Sequence, residues 1–125
     1  MNAAEMAQAM WDAKREIDAS LAEYERCIHA DADADRVAKL AKASAYVSVR
    51  AEIAVKMPVA EIEARVDLAT ADVQHAARMA EGLKRSASQA SESKRQWLSA
   101  LQSLASLTKA EAALARWEPS EVAGV

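Results

Sequence analysis

Glycine and proline are almost missing from this chain, two of each in 125 residues, and phenylalanine does not occur at all. Sheets need turn residues at short intervals, so an all-β or α/β fold is disfavoured and an all-α fold is the expectation. The single cysteine, Cys27, cannot close an internal disulfide, which agrees with a reducing compartment. Only two histidines are present, His29 and His75. No uninterrupted apolar run approaches the ~20 residues a membrane span requires, and the N-terminus lacks the basic-then-apolar pattern of a secretory signal. The expectation is a soluble, cytoplasmic protein without a membrane contact.

Apolar residues make up 52% of the chain, but alanine supplies much of that share. Each helical turn therefore has little area to bury, and helices must approach closely to gain from packing. Larger anchors are few: Trp11, Tyr24, Tyr46, Trp97 and Trp117, with leucines gathered between Leu98 and Leu114. The formal charge of −3 argues against a basic surface over the whole chain. It is unevenly distributed, with residues 1–34 and 58–82 acidic and residues 35–57 and 83–125 basic. Blocks of alternating sign favour antiparallel neighbours.

Punctuation divides the chain into three helical segments within a single domain. A first helix over about 3–28 places Met6, Met10, Ala13, Ile17, Leu21, Tyr24 and Ile28 on one face. The Asp31, Asp33, Asp35 repeat then reads as a turn, because aspartate is a poor helix-interior residue and a good cap. A second helix over about 35–56 carries the apolar line Val37, Leu40, Ser44, Val47, Ala51 and Ala54 and is closed by Pro58. A third runs over about 58–117, with Glu61 and Glu63 suited to its positive end and a tail over 118–125. Along it Ile62, Val66, Ala69, Val73, Ala76, Ala80, Leu83, Ala87, Ala90, Lys94, Trp97, Leu101 and Leu104 alternate spacings of four and three, the seam of a coiled coil interrupted only by Lys94.

Helices of those lengths would span roughly 40, 35 and 90 Å at about 1.5 Å per residue. Two short helices cannot cover the third, so an antiparallel bundle of three helices with a long, coiled-coil-like C-terminal helix is expected. Trp97, Leu98, Leu101, Leu104, Leu107, Leu114 and Trp117 would then project as an interface for a second copy or another protein. The alternative is a four-helix bundle with a break near 86–93, where Ser86, Ser88, Ser91 and Ser93 compete for backbone hydrogen bonds.

Chemistry-bearing constellations are scarce. Asp31, Asp33 and Asp35 imitate the start of a calcium loop, but Arg36 stands where that loop needs glycine and Lys42 where it needs glutamate. Cys27 and His29 point in different directions on a helix, and with His75 they give no zinc spacing. Gly82 is the only glycine before the tail, so there is no phosphate-cradling loop. No nucleophile, base and orienting acid are placed together, and neither a cofactor, a metal nor a small-molecule substrate is expected. Lys84, Arg85, Lys94 and Arg95 bracket the serine-rich stretch and are candidates for weak, salt-sensitive nucleic-acid contact.

Three stretches, Ala45-Tyr46 through Arg50-Ala51, Val59-Ala60-Glu61 through Ala69-Thr70-Ala71-Asp72, and Trp97 through Leu104, resemble small alanine-rich helical proteins encoded by tailed bacteriophages. Such proteins are commonly found near phage recombination and replication genes. The resemblance covers roughly residues 40 to 117. It implies a non-enzymatic accessory in the host cytoplasm that binds a DNA-processing protein, or DNA itself, and it brings no catalytic residues. A phage inhibitor of a bacterial defence system and a virion scaffold or assembly factor are the other classes consistent with a small, acidic, catalytically empty helical protein.

Overall fold

The computed structural model describes residues 2–53 and 56–116, and all of the regular structure in them is α-helical. Helix α1 is Ala3–Glu52, α2 is Val59–Ala69 and α3 is Ala71–Ala115. The three-helix, all-α bundle with a long C-terminal helix is present, but its helices are divided differently from the sequence expectation.

Helix α1 starts on a reciprocal cap. The Asn2 side-chain oxygen accepts the Glu5 backbone N–H at 2.8 Å, and the Glu5 carboxylate accepts from the Asn2 backbone N–H at 3.3 Å. Two otherwise orphaned donors are thereby satisfied. The helix then continues through residues 29–35, where a turn was expected. Each aspartate of the repeat has found a cation one turn away or on another helix: Asp33 lies 4.0 Å from Arg36, Asp35 2.8 Å from Lys39, and Asp31 2.7 Å from Lys84. The interleaved alanines are the best helix formers, and together with these pairs they outweigh the poor propensity of three aspartates. The Asp35 carboxylate also holds the Lys39 ammonium above its ordinary pKa through their hydrogen bond and charge.

Pro58 caps α2 from outside, with φ −57° and ψ 144°. Its carbonyl accepts the Glu61 and Ile62 N–H groups at 3.1 and 3.2 Å. The expected single helix from 58 onward is stepped once, at Thr70. The Thr70 hydroxyl donates to the Val66 carbonyl at 2.8 Å, and the Thr70 N–H reaches the same oxygen at 3.0 Å. Threonine bonding back to the carbonyl four residues earlier displaces its own backbone from helical geometry, here to φ −111° and ψ 12°. The ladder resumes at once, with Gln74 N–H donating to the Thr70 carbonyl at 3.0 Å. Residues 86–93 are helical throughout, so the four-helix alternative is not adopted. Serine was tolerated there because Ser86, Ser88 and Ser93 face solvent, which leaves their hydroxyls no need to compete with the ladder.

Two compact units make up the chain, Met1–Ser20 with Ala90–Val125 and Leu21–Gln89. In the first, the start of α1 lies antiparallel to the end of α3: Ala3, Met6, Ala7 and Met10 border one trough with Ala105, Thr108 and Ala112. Met6 and Ala13 from α1 and Ser91 and Leu101 from α3 are buried there. The Ser20 hydroxyl, also buried, donates to the Ile17 carbonyl at 2.9 Å. The C-terminal half of α3 is therefore covered by a helix instead of projecting bare. The reason is the length of α1: at 50 residues it outlasts both short helices expected in its place.

The second unit assembles the rest of α1 with α2 and the first part of α3 around Val66, which is completely buried, and Thr70. The line α1 turns inward here is Asp31, Ala34, Ala38, Ala41 and Ala45, all half-buried. The line expected for this segment is on the solvent side, with Val37, Leu40 and Val47 exposed by 47, 60 and 71% and Ser44 and Ala51 also exposed. Ala54, its last member, lies outside the described residues. Alanine wins the interior because short side chains let helices come close, at the cost of leaving larger side chains outside.

Candidate interaction surface on the third helix

The inward line of α3 in the first unit is Ser91, Lys94, Leu98, Leu101, Ala105, Thr108 and Ala112, alternating spacings of three and four. The expected seam shared Lys94 and Leu101 with it but took Ala90, Trp97 and Leu104 for the other half. Those three are exposed, Trp97 by 56% and Leu104 by 43%. The apolar pattern of α3 is thus wider than one seam. It contains a buried line and, roughly 100° further round the helix, a second line of Ala90, Ser93, Trp97, Ala100, Leu104 and Leu107 that nothing in the unit covers.

The expected interface residues separate accordingly. Leu101 is 2% exposed and Leu98 half-buried, so both belong to the core. Trp97, Leu104, Leu107 and Leu114 are exposed, the last two by 57 and 72%. Trp117 lies outside the described residues.

Charge defines the outer face more sharply than hydrophobicity does. Its edge away from the core is the line Gln96, Ser103 and Ala110. Between Ala90 and Ala110, these three and the six of the second line form a band without one charged side chain, and all of them are exposed. Lys94, Arg95 and Lys109 lie on other lines of the helix, and Glu92 borders the outer edge of the band, one turn before Gln96. Solvated helix faces normally carry charge, so an exposed band that avoids it entirely, with tryptophan and two leucines along its centre, has the composition of a contact surface. Hydrophobic spacing alone had merged the two lines. The signal that separates them in the sequence is the positions from which charge is missing.

The four basic candidates do not act as one group. The Lys84 ammonium donates to the Asp31 carboxylate at 2.7 Å on the inward side of its unit. Arg85 pairs with Glu81 at 2.6 Å, within one helical turn. Lys94 is half-buried on the core side, and Arg95 is exposed. Two of the four cations are thus engaged by carboxylates of the chain itself. The described residues hold no cluster of three or more histidine, cysteine, aspartate or glutamate side chains that could grip a metal ion. None of the described helices is long and apolar enough to cross a membrane.

The hydrogen bond from Lys84 to Asp31 and the attraction of that carboxylate hold the lysine above its ordinary pKa of 10.5, with smaller support from Glu81 and Tyr24 and opposition from partial burial. A raised folded-state pKa means that this pair stabilises fully below 10.5 and ceases to do so as pH rises through the folded value. Replacing Lys84 by Met should therefore lower Tm by a constant amount from pH 6 to about 10, and the difference from wild type should shrink above that. A Tm difference that stays the same as pH is raised above 10.5 would show that the pair contributes no charge-dependent stability.

No protein-family model, curated protein or solved structure matches this chain.

Proposed function

We propose that this chain is a non-enzymatic helical interaction protein whose working surface is the uncharged outer face of α3 around Trp97. The observation that carries the reading is that band: nine exposed, uncharged positions with Trp97, Leu104 and Leu107 at its centre. Tryptophan in an apolar surround is the side chain most often found to dominate binding energy, and contiguous exposed apolar surface of this kind marks interaction sites. Protein fits the face better than nucleic acid as a partner, because the band has no cation to meet a phosphate and Lys84 and Arg85 are already paired. Joined to the resemblance over residues 40 to 117, the role is that of a bacteriophage accessory that accompanies DNA-processing machinery in the host cell.

A photo-crosslinking amino acid distinguishes this surface from its surroundings. Placed at Ala100, on the band, it should join the chain to another polypeptide in cells that make the protein; placed at Gln102, exposed on the other side of the core line, it should not. Equal yields at the two positions, or none at either, would remove the outer face as the working surface.

A further inference from the structure

We infer that the occupant of this face is a second copy of the same chain, packed antiparallel about a two-fold axis that passes between Trp97 and Ala100. The inference rests on reading the outer face as an interface and adds what covers it.

Charge is the first argument. Each copy is net negative, so self-association is favoured where it brings no carboxylates together, and the band from Ala90 to Ala110 is such a stretch of α3. A partner recognised through complementary charge would find nothing to pair with here. An uncharged face is complementary to itself, the condition an isologous interface imposes.

Side-chain size is the second argument, and it fixes direction. Along the line the residues are small at one end, Ala90 and Ser93, and large at the other, Leu104 and Leu107, with Trp97 beside Ala100 at the middle. Antiparallel pairing about that middle sets Trp97 against Ala100 of the second copy, Leu104 against its Ser93 and Leu107 against its Ala90. Every layer then has one large and one small member, the condition for filling the space between helices without voids. Parallel pairing would set Trp97 on Trp97 and Leu104 on Leu104 while leaving Ala90 and Ser93 facing their own kind. That arrangement is overfilled at one end and hollow at the other. Gln96 and Ser103, along the outer edge, provide donors and acceptors at the rim.

The test uses the 125-residue chain in a Cys27→Ala background, since Cys27 is its only thiol. Light scattering across a concentration series should give twice the 13.5 kDa chain mass, and Trp97→Glu with Leu104→Glu should return the mass to 13.5 kDa with helix content by circular dichroism unchanged. Single spin labels at Gln96, Ser103 and Ala110 should then report separations growing outward from the axis. Their components along the helix are about 8, 14 and 35 Å at 1.5 Å per residue. Equal separations at the three sites would overturn the antiparallel arrangement. A 13.5 kDa species at every concentration would overturn the second copy as occupant. In that event, a crosslink from Ala100 to a different polypeptide leaves the interaction surface standing, whereas a monomer with no preference for Ala100 over Gln102 removes both.

Discussion

Replacing Leu101 by alanine should cost about 2–5 kcal/mol of unfolding free energy, while the same change at Leu104, three residues on, should cost less than about 1 kcal/mol in the isolated chain. The two leucines differ in sequence context by little. Leu101 is 2% exposed and Leu104 43% exposed, because they belong to the buried and the outer line of the same helix. Among the described residues the buried apolar side chains are Met6, Ala13, Val66 and Leu101, and of these Val66 and Leu101 are the most completely enclosed. Truncating Leu101 removes buried contact area and leaves a cavity in its place. Against a typical stability of about 5–15 kcal/mol, that loss is a substantial fraction of the total. Urea titration followed by circular dichroism measures both variants. Dilution separates the two effects of Leu104: its contribution to self-association disappears at low concentration, whereas that of Leu101 does not. Equal losses at the two positions at high dilution would mean that the inner and outer lines have been assigned to the wrong faces.

The neighbouring leucines also show how far the sequence could be read. Helical class, a helix boundary at Pro58 and the four-and-three periodicity of α3 follow from composition and spacing. The phase of that periodicity does not, because α3 has two adjacent apolar lines and an alanine-rich segment gives no weight to either. Choosing Leu104 over Ala105 as the inner residue is natural on hydrophobicity and wrong on packing. The same inversion occurs in α1, where Ala38, Ala41 and Ala45 are turned inward while Val37, Leu40 and Val47 remain outside. In both helices close approach was preferred over burial of the larger side chain. Ser91 sits on the inward line for the same reason, although its buried hydroxyl finds no hydrogen-bond partner among the described residues.

Interactions between distant residues were the other limit. Asp31 reads as a helix breaker so long as Lys84, 53 positions away, is not known to meet it. The step at Thr70 was equally hidden, since it depends on one hydroxyl bonding back to the Val66 carbonyl in preference to solvent. Of the expected interface, the outer members Trp97, Leu104, Leu107 and Leu114 kept the exposure foreseen for them, and Leu98 and Leu101 moved to the core. The interface could not be resolved further until a covering helix was known to exist.

Continuity of α1 through its aspartates is the property on which this arrangement depends, and proline tests it. Ala32 lies in the interior of α1, so proline there deletes the hydrogen bond to the carbonyl four residues earlier and pushes its ring into that turn, a loss of about 3 kcal/mol or more. A turn at residues 29–35 would accept the same substitution with little cost, because proline and aspartate are both ordinary turn residues. Val59 supplies the internal control. It is the first residue of α2, it is 70% exposed, and Pro58 before it already has the extended ψ of 144° that a following proline requires. Proline at position 59 therefore removes no intrahelical bond and should change stability by less than about 1 kcal/mol. Thermal unfolding of the two variants beside wild type decides the matter. A large loss for Ala32→Pro with a small one for Val59→Pro is expected of a continuous first helix. Similar small losses for both would restore the break at the aspartates, and with it the bare C-terminal helix that a 50-residue α1 now covers.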